Sequence, residues 1–244
     1  MRARHFKALA MALALVISTG ALASQAEELL KAVRANDTAT IDRLLQVKPA
    51  SATAPLPDGT TALTQAAYLE RPALVERLRK AAPTLSFFEA CIVGDVAQVR
   101  KALALGQNVD QLSPDGFSPL GLAVFFRRPE VAKVLIDAGA NVRARSNNTL
   151  RVAPIHSAIA RGDLAMLQTL LLSGADPDQT QQRLLRPIHE AAAAGSMPIV
   201  AMLLMFGADV AAPSEDGRTP ADFAAGSGHA ELAKRLTALA ARSR

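Results

Sequence analysis

The chain has 244 residues, enough for one large domain or two small ones; half are apolar but only 4% aromatic, with one Tyr and no Trp. That balance suits small residues packed between many close helices, and argues against a sandwich or barrel, which would use Val, Thr and aromatics in alternating runs. The formal charge is +5, but three of the 27 basic residues lie within the first seven positions, leaving 24 against 22 acidic ones. The remainder is close to neutral, which removes the main support for nucleic-acid binding.

The N-terminus reads as a secretory signal over residues 1–23. Arg2, Arg4 and Lys7 precede an unbroken apolar run from Ala8 to Ile17, Gly20 breaks it, and Ala21-Leu22-Ala23 is a small-residue cleavage pattern. Cleavage is expected after Ala23. Ten apolar residues are too few for a membrane span, which needs about 20, so no membrane association is expected once the signal is removed. No Cys follows Ala23, which argues against a lipid anchor, and Arg2 and Arg4 are not adjacent, so the twin-arginine route is not indicated. The single Cys91 cannot form an internal disulfide even in an oxidising compartment; the core alone must hold the fold.

From there the chain repeats. Ala32, Ala66, Ala90, Ala123, Ala158, Ala191 and Ala224 are separated by 34, 24, 33, 35, 33 and 33 residues. Most are preceded by a related stretch: TALTQA (61–66), SPLGLA (118–123), APIHSA (153–158), RPIHEA (186–191) and TPADFA (219–224). About a helix later come GQNVD (106–110), GANV (139–142), GADP (174–177) and GADV (207–210). Asp58-Gly59, Asp115-Gly116 and Asp216-Gly217 open three units with a tight turn. Thr or Ser then caps a helix with Pro at its first position. Leu164–Leu172 carries apolar residues at helical spacing, and Gly139, Gly174 and Gly207 stand where such helices end. One such hairpin buries little alone, so stability comes from stacking on its neighbours.

These motifs resemble the ankyrin repeat over about residues 26–240. The resemblance implies an all-α solenoid of about seven helix-turn-helix units joined by β-hairpin finger loops. The units run about 26–57, 58–83, 84–114, 115–148, 149–181, 182–215 and 216–244, the first and last being polar caps. The 24-residue interval predicts that the second unit runs from Ala82-Pro83 into the third with no finger, and that Leu85-Ser86-Phe87-Phe88 makes a locally heavier core.

His156 and His189 are two of four histidines and lie 33 residues apart. A shared metal would need both ring nitrogens within about 2.1 Å of one ion, whereas matching residues on stacked helices lie about 8–10 Å apart. The resemblance gives these His a structural role, bonding backbone near the helix start; the same positions elsewhere hold Thr64, Phe88, Gly121 and Asp222. His229, after Gly228, is expected to be structural as well. Cys91 reads as a small buried apolar residue. No phosphate loop, nucleophile elbow, Cys-x-x-Cys or His-Glu-x-x-His motif is present, so no catalytic residue, cofactor or metal is expected.

The resemblance points to non-enzymatic binding of another protein through the concave face, by a monomer. The second and third residues after the aligned Ala are Tyr68 and Leu69, Ile92 and Val93, and Phe125 and Phe126, an apolar row that would suit a partner. Arg143, Arg145 and Arg151 on one finger and Arg183 and Arg186 on the next would suit an acidic partner. With the signal peptide this gives a periplasmic or secreted protein-binding scaffold. The alternative is an accessory protein that supports a periplasmic enzyme or peroxide defence.

Overall fold

A computed structural model of the chain describes residues 22–242, and among them every regular element is helical. The described residues begin inside the expected signal, so Ala8–Ile17 lies outside them. The chain divides into two compact units, one ending at Val93 and the other starting at Gly94.

The first unit contains α1 (22–35), α2 (Thr38–Val47), a 3-10 turn (Pro49–Ala52), α3 (Ala62–Tyr68), α4 (Pro72–Ala81) and α5 (Phe87–Val93). Two of its helices, α2 and α3, begin where a short polar side chain meets an orphan N–H: Asp37 accepts from Thr40 N at 3.0 Å, and Thr61 from Thr64 N at 3.1 Å. Leu29, Ile41, Leu63 and Leu78 fill its core, all fully buried. Between α4 and α5 only residues 82–86 intervene, so the expected absence of a finger is observed, and Phe87 is buried there.

The second unit contains α6 (Val96–Ala104), α7 (Pro119–Phe125), α8 (Pro129–Asp137), α9 (Pro154–Ala160), α10 (Leu164–Leu172), a 3-10 turn (Gln182–Leu184), α11 (Pro187–Ala193), α12 (Met197–Met205), α13 (Pro220–Gly226) and α14 (Ala230–Arg242). The inner helices α7, α9, α11 and α13 pack in succession, each against its own outer helix. Ala123, Ala158, Ala191 and Ala224 are fully buried between them, where a larger side chain would force the stack apart. Leu120, Ile155 and Ile188 on the inner layer and Leu135, Leu167, Leu203 and Leu236 on the outer layer complete the core. Helix ends follow the expected chemistry: Gly174, just past α10, has φ 93°.

Two expectations need correction. The loops between units are not β-hairpins, and no strand forms among the described residues. Each loop is closed near its base, as by Ser113 N to Phe117 O at 2.9 Å and Ser214 N to Arg218 O at 2.9 Å, and stitched to the next, as by Asn147 N to Gly116 O at 2.8 Å. Turns fill the space between those bonds, so no ladder develops.

The second correction concerns register in α5. Ser86 begins this helix, since Ala90 N bonds Ser86 O at 2.9 Å and Ser86 N is taken by Glu89 Oε2 at 2.9 Å. Glu89, not Phe88, therefore fills the place that Thr64, His156 and His189 fill elsewhere, and Cys91 rather than Ala90 matches the recurrent Ala. The turn after α5 is one residue shorter in compensation. Ile92 thus falls where Ala67, Val124, Ile159 and Ala192 are buried, and is itself 2% exposed.

Candidate functional site

The histidines are fixed by geometry. Ala153 N donates to His156 Nδ1 at 3.1 Å, so the ring proton sits on Nε2, which donates to Gln179 O at 2.9 Å. His189 repeats the arrangement with Arg186 N at 3.1 Å and Ala212 O at 2.9 Å. Each ring closes its helix start and ties it to the loop 23 residues on. Burial, opposed by these backbone bonds, pushes His156 down to about 4 and His189 below its ordinary value, so both are neutral bridges. His229 Nε2 donates to Ala193 O at 3.1 Å, fastening its unit to the preceding turn. Among the described residues no cluster of three or more His, Cys, Asp or Glu could hold a metal ion. The lone thiol of Cys91 is fully buried and its pKa is raised to about 12 by desolvation, which makes it a packing group.

In the first unit no following finger offers a carbonyl to position 64. Thr64 bonds only its own cap, and the link to the next helix start is supplied in reverse: Glu89 Oε1 accepts from Thr61 Oγ1 at 2.8 Å while Oε2 accepts from Ser86 Oγ at 2.8 Å. Sequence alignment on Ala90 hid this residue; the Ser86-x-x-Glu89 pattern, a capping box, was the signal that would have found it.

The expected partner row divides between the units. In the first, Tyr68 and Leu69 are each 38% exposed and Val93 is half-buried, whereas Ile92 is inside and presents nothing to a partner. In the second, Phe125 and Phe126 are half-buried at the end of α7, edge to face with centroids 5.2 Å apart. The Arg161 guanidinium, from the end of α9, lies 5.2 Å from the Phe125 centroid. Two units further, Arg218 lies 4.1 Å over the ring of Phe223 on α13. The stacking of Arg161 on an aromatic is not legible in the sequence, because contact between adjacent repeats is not written in either one.

Between these two pairs, on α11, stands Glu190. Its Oε1 accepts from Gln181 Nε2, and its Oε2 is buried without a hydrogen-bond partner. Burial raises this carboxyl to about 7, with the Gln181 bond acting the other way.

Arg143, Arg145 and Arg183 tie one loop to the next, and Arg186 makes an ion pair within its own loop. Arg143 Nε donates to Gly174 O at 2.7 Å and Arg145 Nη2 to Thr180 Oγ1 at 3.3 Å. Arg183 pairs with Asp216 at 3.7 Å, Arg186 reaches Asp178 at 4.0 Å, and Arg151 is exposed with φ 54°. Asp178 also accepts from Asp209 N at 3.1 Å. The row of loops is therefore mixed in charge rather than a bare cationic edge.

A stack of helical hairpins with small residues between layers and polar ties across its loops defines a repeat scaffold. The chain belongs to the ankyrin-repeat family: the family model for ankyrin repeats, in three copies, matches residues 87–181 and 155–242. It is similar to the E3 ubiquitin-protein ligase KEG of Arabidopsis thaliana, 36% identical over 90 residues, or 36% of this chain and 6% of that protein. It is also similar to the ankyrin repeat, SAM and basic leucine zipper domain-containing protein 1 of Mus musculus, 33% identical over 126 residues, or 48% of this chain and 26% of the relative. The same protein of Colobus guereza is 33% identical over 103 residues, covering 41% and 21% of the two chains. The chain thus spans between 6% and 26% of the length of these relatives. Ankyrin repeats generally mediate contacts between proteins, and what the shared segment supports is that class of work.

Proposed function

We propose that the chain is a protein-recognition scaffold whose inner helices dock a partner, without catalysis of its own. The observation that carries this is the arginine-capped aromatic surface of the second unit: Phe125 and Phe126 edge to face, with Arg161 over the first ring. Aromatic and Arg side chains offer large, stiff contact area and dominate binding energy at protein interfaces. Arg218 over Phe223 supplies a second such pair. On the first unit, taken by itself, Tyr68, Leu69 and Val93 offer a further apolar contact; in the second, Arg143, Arg145, Arg151, Arg183 and Arg186 stand among loops of mixed charge that would contact polar parts of a partner. We further propose export to the periplasm or beyond, on the strength of Arg2, Lys7, the Ala8–Ile17 run and Ala21–Ala23.

Crosslinking capture from periplasmic extract, with the Phe125→Ser/Phe126→Ser form as the matched control, tests the reading. A protein retained by the unaltered chain and lost by the variant at equal helical content supports it. Equal capture by both removes the aromatic surface from the account.

A further inference from the structure

Buried side-chain atoms without a hydrogen-bond partner are not spread evenly over the second unit. Gln179 Oε1, Arg186 Nε and Nη1, and Glu190 Oε2 gather within residues 179–190, on the loop before α11 and on that helix. An unsatisfied buried polar atom costs stability, and a cluster of them stores that cost in one segment. The same loop is strained. Arg183 and Leu184 both hold left-handed backbone, with φ 56° and 54°. Leu184 is 54% exposed, so burial of its side chain does not fix that conformation. Single backbone bonds join the turn to the neighbouring loops, Gln182 N to Leu150 O at 3.1 Å and Glu215 N to Arg183 O at 3.0 Å. One side-chain bond, from Gln181 Nε2 to Glu190 Oε1, ties it to the body of α11.

We infer that the Gln181–Glu190 bond is a proton-operated latch, which holds the turn against α11 while Glu190 is protonated and releases it when Glu190 ionises. A neutral carboxyl tolerates burial with one oxygen unpaired far better than a carboxylate does. Among the described residues, no side chain around α11 is placed to compensate that charge. The helix packs against α9, α12 and α13. On the α9 side, His156 is a neutral bridge to Gln179 O, and Arg161 lies against Phe125. On the α13 side, Asp222 accepts from Thr219 N at 2.8 Å, and Arg218 lies over Phe223. The α12 helix has no charged residue. His229 holds Ala193 O, His189 holds Ala212 O, Arg183 reaches Asp216 at 3.7 Å, and Arg186 approaches Asp178 at 4.0 Å. Burial accordingly raises Glu190 to about 7, with the Gln181 bond alone acting the other way. Ionisation is relieved by admitting water to Oε2, which requires the turn to lift, and the left-handed residues relax as it does. The latch stands on this geometry; only its consequence, a loop edge of the docking face that changes with pH, rests on the proposed function.

Amide exchange of the full chain, followed by NMR at about pH 5 and about pH 8 and corrected for intrinsic rates, tests the latch. Protection of the Gln182 and Glu215 amides is expected to fall at least about tenfold between the acid and the alkaline sample. The Asn147 amide, bonded to Gly116 O at 2.8 Å across an earlier pair of loops, is the reference and is expected not to fall. Glu190→Gln keeps an acceptor for Gln181 and cannot ionise, so it is expected to hold the acid level of protection in both samples. Gln181→Ala is expected to lose protection even in acid. Corrected protection that is the same in both samples, an equal fall at Asn147, or a Glu190→Gln form that still loses protection overturns the inference. None of these readings needs a partner, so a failed capture leaves the latch standing and a failed latch leaves the docking face standing.

Discussion

Gly195 shows how a single residue can be set by its neighbour a repeat away. It has φ 67°, and a Cβ there would lie 2.5 Å from the His229 ring. Gly195→Ala should cost about 2–3 kcal/mol, from a left-handed backbone and a displaced ring. Gly162→Ala, at φ 64° with nothing within 4 Å, should cost only about 1–2 kcal/mol. Removing the ring with His229→Ala should relieve part of the Gly195→Ala loss, so a double-mutant cycle by urea unfolding should return a coupling above about 0.5 kcal/mol. Purely additive losses would mean that the ring does not press on this turn.

Two buried groups titrate in opposite senses. His156 has a folded value of about 4 against 6.5 when exposed. As pH falls below 6.5 the unfolded chain takes up a proton that the folded one refuses, so stability declines until about pH 4, by up to about 3 kcal/mol. Glu190 has a folded value of about 7 against 4.5. Its folded form binds the proton first, so stability rises as pH falls from about 7 to 4.5. The two trends oppose each other over that window. Glu190→Gln should therefore unmask a steeper loss of stability on acidification, read from unfolding midpoints between pH 7 and pH 5. An unchanged slope would show that Glu190 is not a buried acid.

At the scale of the element, the start of each inner helix is the unit of design. Most of it was legible in the sequence: the Thr, Ser and Pro cues placed α3, α7, α9, α11 and α13, and the period placed the core. Ile155 on the inner layer and Leu203 on the outer are fully buried, and truncating either to Ala should cost about 2–5 kcal/mol. The register of α5 was not legible. An Ala follows Glu89 as it follows Ser157, but the helix starts at a Ser that stands one place later, and the short turn conceals the shift. Glu89 carries the consequence: Glu89→Ala removes three side-chain bonds at once, from Thr61 Oγ1, Ser86 N and Ser86 Oγ. It should cost about 2–4 kcal/mol in urea unfolding, while Phe88→Ala, at the place the sequence suggested, should not disturb either cap. A loss below about 0.5 kcal/mol for Glu89→Ala would be the size of a surface change and would contradict the register.

At the scale of the whole molecule, repetition explains both what could be read and what could not. Features internal to one repeat recur along the sequence and declare themselves by period. Features made between repeats do not, because each partner is an ordinary residue in its own unit. Arg161 is one loop arginine among many until it stacks on Phe125. Arg143 shares its loop with Arg145 and Arg151, and only the next unit supplies the Gly174 carbonyl that holds its guanidinium. The apolar character of α10 and α12 was visible in sequence, but whether Leu172 and Met205 pointed inward or outward depended on the stack, which leaves both exposed on the outer face.

The central claim is that recognition belongs to the inner helices. The direct measurement is the affinity of a captured partner for three forms of the chain: unaltered, Phe125→Ser/Arg161→Ala, and Leu172→Glu/Met205→Glu. The account predicts that the inner-face form loses at least about tenfold in affinity while the outer-face form binds as the unaltered chain does. Unchanged binding by the inner-face form, or loss confined to the outer-face form, would contradict it.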